Sequence, residues 1–189
     1  MLETRADRRL SLLSHPQAAS GAVRHVGAYA ERPAADTLQL QYVLDADLAH
    51  LRIPAPVPAG GAADRLWTHT CFEAFVAAAG RPEYLELNLS PSGQWAAYRF
   101  DAYRAGMAPA ELLQTPEITI RRGERQLELQ ARVRIALAGA WRLALSAVVE
   151  EGTGGLSYWA LRHPPGRPDF HHPESFSLAL ELPHALNSP

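Results

Sequence analysis

Apolar and polar residues alternate along most of this sequence, and this alternation limits the possible fold more than any other feature. Successive side chains of a β-strand point to opposite faces, so a period of two indicates strands with one dry face and one wetter face. Residues 38–45 (LQLQYVLD) and 127–134 (LELQARVR) show the pattern most clearly. The pattern predicts ten strands, near residues 23–30, 38–45, 70–77, 84–90, 94–101, 117–121, 127–134, 141–149, 157–161 and 176–182.

Ten short strands separated by turn residues, with little helical periodicity, predict an all-β protein. We expect an antiparallel β-sandwich of the immunoglobulin or jelly-roll type, with one short helix at most. The length of 189 residues suits a single domain spanning residues 1–189. Residues 52–65 are rich in proline, glycine and alanine and predict a loop, whereas residues 102–113 predict a short helix or an irregular crossover.

Residues 84–101 (YLELNLSPSGQWAAYRFD) form the clearest hairpin pattern. The segment 90–93 (SPSG) has proline at the second position and glycine at the fourth, as a type I turn prefers. A two-residue hairpin closed by this turn gives three facing pairs: Asn88 with Trp95, Glu86 with Ala97, and Tyr84 with Arg99. That register places an indole among polar side chains, a surface typical of sugar stacking. The alternative is that Trp95 covers a sheet edge while Glu86 and Arg99 form a surface ion pair.

Residues 162–176 (RHPPGRPDFHHPESF), named here the His-Pro loop, hold three of the eight histidines and four of the fifteen prolines. A metal site needs several donors on one centre, and adjacent His171 and His172 point in opposite directions in an extended chain. The spacing of His163 and Asp169 relative to that pair matches no metal motif, so we predict no metal site. The prolines restrict the chain before folding, and we expect a stiff loop that forms one wall of a ligand pocket, with His171 offering a hydrogen bond.

Charge and composition exclude several classes of function. A formal net charge of −2 gives no reason to expect nucleic acid or an anionic membrane as partner. The chain has no lysine for Schiff-base chemistry, and the single cysteine, Cys71, forms no internal disulfide. Residues 1–16 lack the apolar core of a signal peptide, and no run of about 18 apolar residues is available to cross a membrane, so we expect a cytoplasmic protein.

Residues 66–101 (LWTHTCFEAFVAAAGRPEYLELNLSPSGQWAAYRFD) resemble the superfamily of DOMON-like domains and family 9 carbohydrate-binding modules. The shared features are a loop tryptophan, a strand with glutamate before an aromatic residue, and a strand that ends in the SPSG turn. The later segments LSAVVEEG, SYWALRHP and PDFHHPESFSLAL resemble the closing strands of that superfamily. The resemblance spans residues 66–182 and is strongest to a bacterial subgroup of stand-alone DOMON-like proteins. It implies a ligand-binding β-sandwich that holds a sugar or a haem.

For a sugar ligand, the resemblance implies a ring clamped between two tryptophans, with acidic and amide side chains bonding its hydroxyls. The residues that match are Trp67, Glu73, Glu86, Asn88, Trp95, Arg99 and Trp159, with His171 from the His-Pro loop. The resemblance leaves open which two tryptophans pair. Trp141 lies on the apolar face of its strand and is assigned to the core, and the face that Trp159 shares with Leu161 favours the core for that residue also. Glu73 shares a face with apolar residues and requires a partner, such as an arginine.

For a haem ligand, the resemblance implies an axial methionine with a histidine or another base. The matching residues are Met107 with His163, His171 or His172. Covalent haem is excluded because the chain has no Cys-x-x-Cys-His motif. Haem b is therefore the alternative cofactor, and otherwise we expect none.

Catalysis is a third interpretation, because Glu73 and Glu86 on neighbouring strands are compatible with a glycosidase pair. Nothing in the sequence marks either carboxyl as a proton donor, so we expect no catalytic residue. A name borrowed from a murein-synthesis reductase, which some members of the subgroup carry, does not suit this chain, because it is short and has no flavin-binding glycine pattern. We predict a non-catalytic domain that binds a sugar or a sugar-containing ligand, and a protein partner at exposed tryptophans stays open.

Overall fold

The alternating sequence forms thirteen β-strands in the computed structural model, which describes residues 9–183. The strands are β1 Leu10–Ser14, β2 Val23–Ala34, β3 Thr37–Ala46, β4 Gly61–Ala62, β5 Cys71–Ala78, β6 Tyr84–Leu89, β7 Gln94–Phe100, β8 Ala108–Pro109, β9 Gln114–Arg122, β10 Gln126–Arg134, β11 Trp141–Glu150, β12 Leu156–Ala160 and β13 Leu178–Leu180. Short 3-10 helices span Leu48–His50, Leu66–Thr68 and Pro173–Ser175. The prediction of a mostly β protein is confirmed.

Each of the ten predicted strands has a counterpart, and three strands were not predicted. β1 (LSLLS) breaks the alternation, and β4 and β8 have only two residues each, so their pairing rather than their sequence defines them. Residues 102–113 form the irregular crossover, which includes β8, and not the short helix. Within residues 9–183, no helical segment has both the length and the apolar character needed to cross a membrane.

The strands join into one strongly curved sheet in the order β4-β7-β6-β5-β11-β12-β1-β2-β3-β10-β9. β8 pairs with β7 and β13 with β11, and the described pairings are antiparallel except for the short parallel pair β4–β7. The two end strands approach each other across a groove lined by Gly61 of β4 and by Ile118 and Ile120 of β9. The sheet is therefore nearly closed, like a barrel, and the sandwich of immunoglobulin or jelly-roll type stays a prediction.

One core lies inside this curved sheet, where the apolar positions of the alternating strands meet. Across the core, the ring of Tyr42 from β3 stacks on Phe72 of β5 with 5.0 Å between centroids. The Tyr42 hydroxyl donates a hydrogen bond of 2.6 Å to the backbone carbonyl of Glu73. Burial of the apolar side chains supplies most of the driving force for folding, and this buried bond fixes the spacing of the facing strands.

Two tryptophans belong to this core. Trp141, the first residue of β11, is fully buried, and its Nε1 donates to the carbonyl of Leu137 at 2.9 Å. The guanidinium of Arg32 lies 3.6 Å from the centroid of the Trp141 ring and donates to the carbonyl of Gly139. Trp159 is also buried on the core side of β12, and its Nε1 donates to Ser157. The assignment of Trp141 to the core is confirmed.

The opposite face of β5, β6, β7, β11 and β12 is covered by the His-Pro loop. Phe170 and Phe176 of the loop join Phe75, Tyr84 and Phe100 of the strands in a second buried cluster. Tyr84 and Phe100 stack with 4.7 Å between their centroids. This covered face, and not the core, holds the polar side chains discussed below.

The predicted register of the β6–β7 hairpin is wrong by one residue. The type I turn is present, since the amide of Gly93 donates to the carbonyl of Ser90 at 3.0 Å. Gly93 then takes a positive φ of 85° and adds one residue to the loop, so that Leu89 faces Trp95 and Glu86 faces Tyr98. A type I turn followed by a left-handed residue is the common three-residue hairpin loop, and its bulge moves each β7 partner by one position.

We expect Gly93→Ala to lower the free energy of unfolding by about 1–2 kcal/mol, because an L-residue at this φ is strained. A Cβ at Gly93 meets no atom closer than 3.9 Å, so the cost is conformational and not steric. Chemical denaturation measures the change. Gly123→Ala is the matched control, since Gly123 lacks a positive φ and an added Cβ has ordinary space, and it should leave stability nearly unchanged. Equal losses in the two variants would contradict this account of the turn.

Candidate functional site

Three polar side chains predicted for the site lie together on the covered face. Glu73 of β5 pairs with Asn88 of β6, and two residues along these strands Phe75 pairs with Glu86, so all point to the same side of the sheet. Glu73, Glu86 and Asn88 are 3%, 5% and 0% exposed. Nδ2 of Asn88 donates to Oε1 of Glu86 at 2.7 Å. Strand alternation therefore places two carboxyl groups and an amide in one buried patch.

These carboxyl groups face a cavity of about 500 Å³, named here the main cavity. Its volume falls in the range of small-molecule sites. The side chains that line it include Trp67, Glu73, Glu86, Phe100, Arg104, Met107, Tyr158, Phe170 and His171. Aromatic walls beside a few buried polar groups can stack on an apolar ring face and bond the groups at its rim.

Trp67 stands between the main cavity and a second, more open cavity of about 670 Å³ that Trp95 also lines. Trp67 is part of the 3-10 helix Leu66–Thr68, which begins after Arg65 at a positive φ of 57°. Its ring meets Tyr98 edge to face at 5.5 Å, and the Tyr98 hydroxyl donates to Asp64. The half-buried indole is thus fixed at the boundary of the two cavities.

His171 forms the wall that was predicted for the His-Pro loop. Its Nδ1 lies 2.8 Å from the Tyr84 hydroxyl, and its ring packs on Phe75 and Phe100 with centroid distances of 4.9 and 5.0 Å. Burial, with the nearby Arg104 charge as a smaller cause, lowers the pKa of His171 to about 4. The imidazole is therefore neutral at pH 7 and offers one donor and one acceptor.

Arg104 and Asp169 fix the rim of the main cavity. Arg104 adopts a positive φ of 53°, and its backbone amide donates to the Tyr84 hydroxyl at 3.2 Å. Its guanidinium donates to one oxygen of Asp169 at 2.8 Å, and Tyr103 donates to the other at 2.5 Å. These contacts tie the crossover to the His-Pro loop. Sequence reasoning missed Arg104, and no local signal marks it, because folding alone brings the crossover to this wall.

Burial raises the pKa of the Glu73 carboxyl well above its usual range, and the neighbouring Glu86 charge raises it further. Burial likewise raises the pKa of Glu86, and the hydrogen bond from Asn88 lowers it by less. The prediction of an arginine partner for Glu73 is wrong. Within residues 9–183, the hydrogen bond to the Glu73 carboxyl comes from Ser146 Oγ, at 3.5 Å. Ser146 stands directly opposite Glu73 on β11, so the side chain beside this carboxyl is a small hydroxyl and not a guanidinium.

Four predicted site residues do not line the main cavity: Asn88, which is fully buried and bonds Glu86, and Trp95, Arg99 and Trp159. The shifted hairpin register turns Trp95 and Arg99 to the opposite face from Glu86 and Asn88. Arg99 is exposed and pairs with Asp101 at 3.0 Å, whereas Trp95 lines the second cavity. Trp159 lies in the core, as its apolar strand face favoured. The alternative prediction, a surface ion pair between Glu86 and Arg99, is also wrong, because the shifted register places the two side chains on opposite faces.

Of the haem candidates, Met107 and His171 line the main cavity, and the other two histidines have separate roles. His163 contacts the carbonyl of Leu13 through Nε2 at 2.8 Å, and Nδ1 of His172 accepts from the amide of Glu174 at the 3-10 helix Pro173–Ser175. In the described part of the chain, no three His, Cys, Asp or Glu side chains form a cluster suited to a metal ion.

Comparison with solved structures shows what this chain is similar to. A "putative carbohydrate-binding protein" from Bacteroides uniformis superposes with a TM-score of 0.68 and 17% identity, covering 93% of this chain and 85% of the other. A family 9 carbohydrate-binding module from Caldicellulosiruptor kristjanssonii in complex with glucose gives a TM-score of 0.54 at 9% identity, with coverage of 91% and 82%. A family 9 module from the same organism in complex with cellotriose gives a TM-score of 0.55 at 9% identity, covering 87% of this chain and 77% of the other.

No protein-family model matches the sequence, and a search of curated proteins found no match. The structural similarity supports the part of the predicted resemblance that concerns family 9 modules. The DOMON assignment stays a prediction, and the haem alternative gains no support from these neighbours. At these identities the similarity concerns the fold, and this chain has the fold of family 9 carbohydrate-binding modules.

Proposed function

We propose that this protein binds a sugar in the main cavity without catalysing a reaction. The observation that carries the proposal is that Glu86 and Glu73 line a cavity edged by the half-buried indole of Trp67, while the fully buried Asn88 bonds Glu86. The neighbours in complex with glucose and cellotriose support a sugar as the ligand class. The proposal needs no cofactor, and it assigns binding to this cavity and not to Trp95 or Trp159.

Each part of the site has a chemical role in this proposal. The Trp67 ring stacks on the apolar face of the sugar and removes both surfaces from water. Glu86 accepts hydrogen bonds from sugar hydroxyls while Asn88 holds its other oxygen. The neutral His171 and the carboxyl of Glu73 complete the polar wall. Buried groups of this kind discriminate strongly, because a ligand that leaves them unpaired incurs their full desolvation cost.

Isothermal titration with glucose and cellotriose tests the proposal. We expect saturable binding by the wild type, a several-fold loss of affinity in Trp67→Ala, and a loss of about tenfold or more in Glu86→Gln. Arg99→Gln is the control, because it removes an exposed charge from the opposite face of the same hairpin and should keep wild-type affinity.

Two results would contradict the proposal. Equal losses in Arg99→Gln and Glu86→Gln would show that the main cavity is not the site. Turnover of a chromogenic glycoside that disappears in Glu73→Gln would show a glycosidase instead of a binding domain, with the two carboxyl groups as its acid and nucleophile. We expect no turnover in any variant.

A further inference from the structure

Neither carboxyl group of the main cavity pairs with an arginine among residues 9–183, and the basic group that approaches Glu86 is the imidazole of His171. Oε1 of Glu73 receives no hydrogen bond from any described residue, and Oε2 receives only the long bond from Ser146. Glu86 accepts from Asn88 through Oε1, while its Oε2 lies 3.7 Å from Nε2 of His171, beyond hydrogen-bond reach. Both side chains are more than nine-tenths buried and face the cavity.

The two basic side chains near this pair compensate its charge only in part. His171 is uncharged at pH 7, because burial lowers its pKa to about 4. Arg104 lies at the rim, where its half-exposed guanidinium donates to Asp169 at 2.8 Å. From the rim its charge lowers the pKa of Glu86, but burial raises this pKa by more. The cavity therefore combines two buried acids with a local shortage of positive charge.

A buried carboxylate is costly unless an opposite charge or several hydrogen bonds compensate it. A sugar hydroxyl offers one neutral bond, whereas an ammonium group offers three donors and a full positive charge. The aromatic walls of Trp67, Tyr158 and Phe170 suit such a ligand as well, since aromatic faces attract cations.

We infer that the main cavity selects an amino sugar with a free, protonated amine, which Glu73 and Glu86 bind together. This inference rests on the proposed sugar binding and makes its ligand class more specific. The ring stacks on Trp67, its hydroxyls meet His171, and its ammonium group takes the place that a basic side chain would fill in a buried ion pair.

Titration with glucosamine, glucose and N-acetylglucosamine tests the inference, because the three share one ring and differ in the group at one carbon. At neutral pH, where the amine of glucosamine is largely protonated and the glutamates ionise more readily than in acid, we expect glucosamine to bind about tenfold to 100-fold more tightly than the two neutral sugars. In Glu73→Gln the ratio of the glucose and glucosamine dissociation constants should fall to within about threefold of one. Circular dichroism on each variant confirms that it folds.

Glu174→Gln is the charge-matched control, since it removes an exposed carboxylate of the His-Pro loop that pairs with Arg162 outside the cavity. This variant should keep the wild-type ratio. Equal affinity for the three sugars, or an equal loss of the ratio in Glu174→Gln, would overturn the inference and leave sugar binding intact. Absence of binding by all three sugars and by cellotriose would instead overturn the proposed function.

Discussion

Replacing Trp141 with alanine should lower the free energy of unfolding by about 3–5 kcal/mol, the usual cost of truncating a buried aromatic residue. Trp141 is fully buried where β11 begins, and it has two contacts that alanine cannot make. Its Nε1 bonds the Leu137 carbonyl, and its ring lies under the guanidinium of Arg32. Loss of the ring leaves a cavity and a buried cation without its aromatic contact, so the effect adds packing, hydrogen-bond and cation–π terms.

Equilibrium denaturation measures this loss, with the same m-value (the dependence of the unfolding free energy on denaturant concentration) used for both proteins. Trp141→Phe separates the contributions, because it keeps an aromatic ring under Arg32 and removes the Nε1 donor. We expect it to lose less than half as much stability as the alanine variant. If the two variants were equally destabilised, the ring would contribute nothing beyond its hydrogen bond, and our description of this contact would be wrong.

Acidification should destabilise the protein through His171 by about 3 kcal/mol, given a folded pKa of about 4 against an ordinary value of 6.5. Between these values the unfolded chain binds a proton that the folded chain does not. The contribution of His171 to stability is therefore fully present above pH 6.5 and is lost as pH falls to about 4. Glu73 and Glu86, whose pKa values are raised, act in the opposite direction and favour the folded state at low pH.

Comparison of the wild type with His171→Phe isolates the histidine, because both proteins keep the two glutamates. The phenylalanine ring preserves packing on Phe75 and Phe100 but does not titrate, so the variant should lose about 3 kcal/mol less than the wild type between pH 7 and pH 4. Tyr84→Phe removes the hydroxyl partner of His171 and keeps the imidazole, and its pH dependence should stay close to that of the wild type. Parallel pH profiles for the wild type and His171→Phe would contradict the assignment.

The sequence predicted the strands well because alternation reports directly on which side chains face the core. β3 and β10 show the point: their leucines alternate with polar residues, and the leucines are buried. The same alternation correctly grouped Glu73 with the apolar Cys71 and Phe75. It could not show that this second face is covered, because the cover comes from the His-Pro loop about 90 residues later in the chain.

The predicted site was partly wrong because it depended on one hairpin register. A single bulge residue at Gly93 replaces the pairing of Asn88 with Trp95 by that of Asn88 with Ala96, and it removes Trp95 and Arg99 from the site. Glu73, Glu86, Trp67 and His171 did not depend on that register, and all four line the main cavity. Tyr158 and Phe170 escaped notice because buried aromatic residues in strands and loops carry no signal of a cavity before the fold is known.

The His-Pro loop also bears on how fast a ligand can bind. Its four prolines limit the conformations of the free chain, and Asp169 is held by Arg104 and Tyr103 while Ser175 donates to the Asp169 carbonyl. One wall of the main cavity is thus ordered before any ligand arrives, so association need not include the entropy of ordering that wall. Encounter then depends on diffusion and orientation, and differences in affinity between ligands arise mainly in their rates of dissociation.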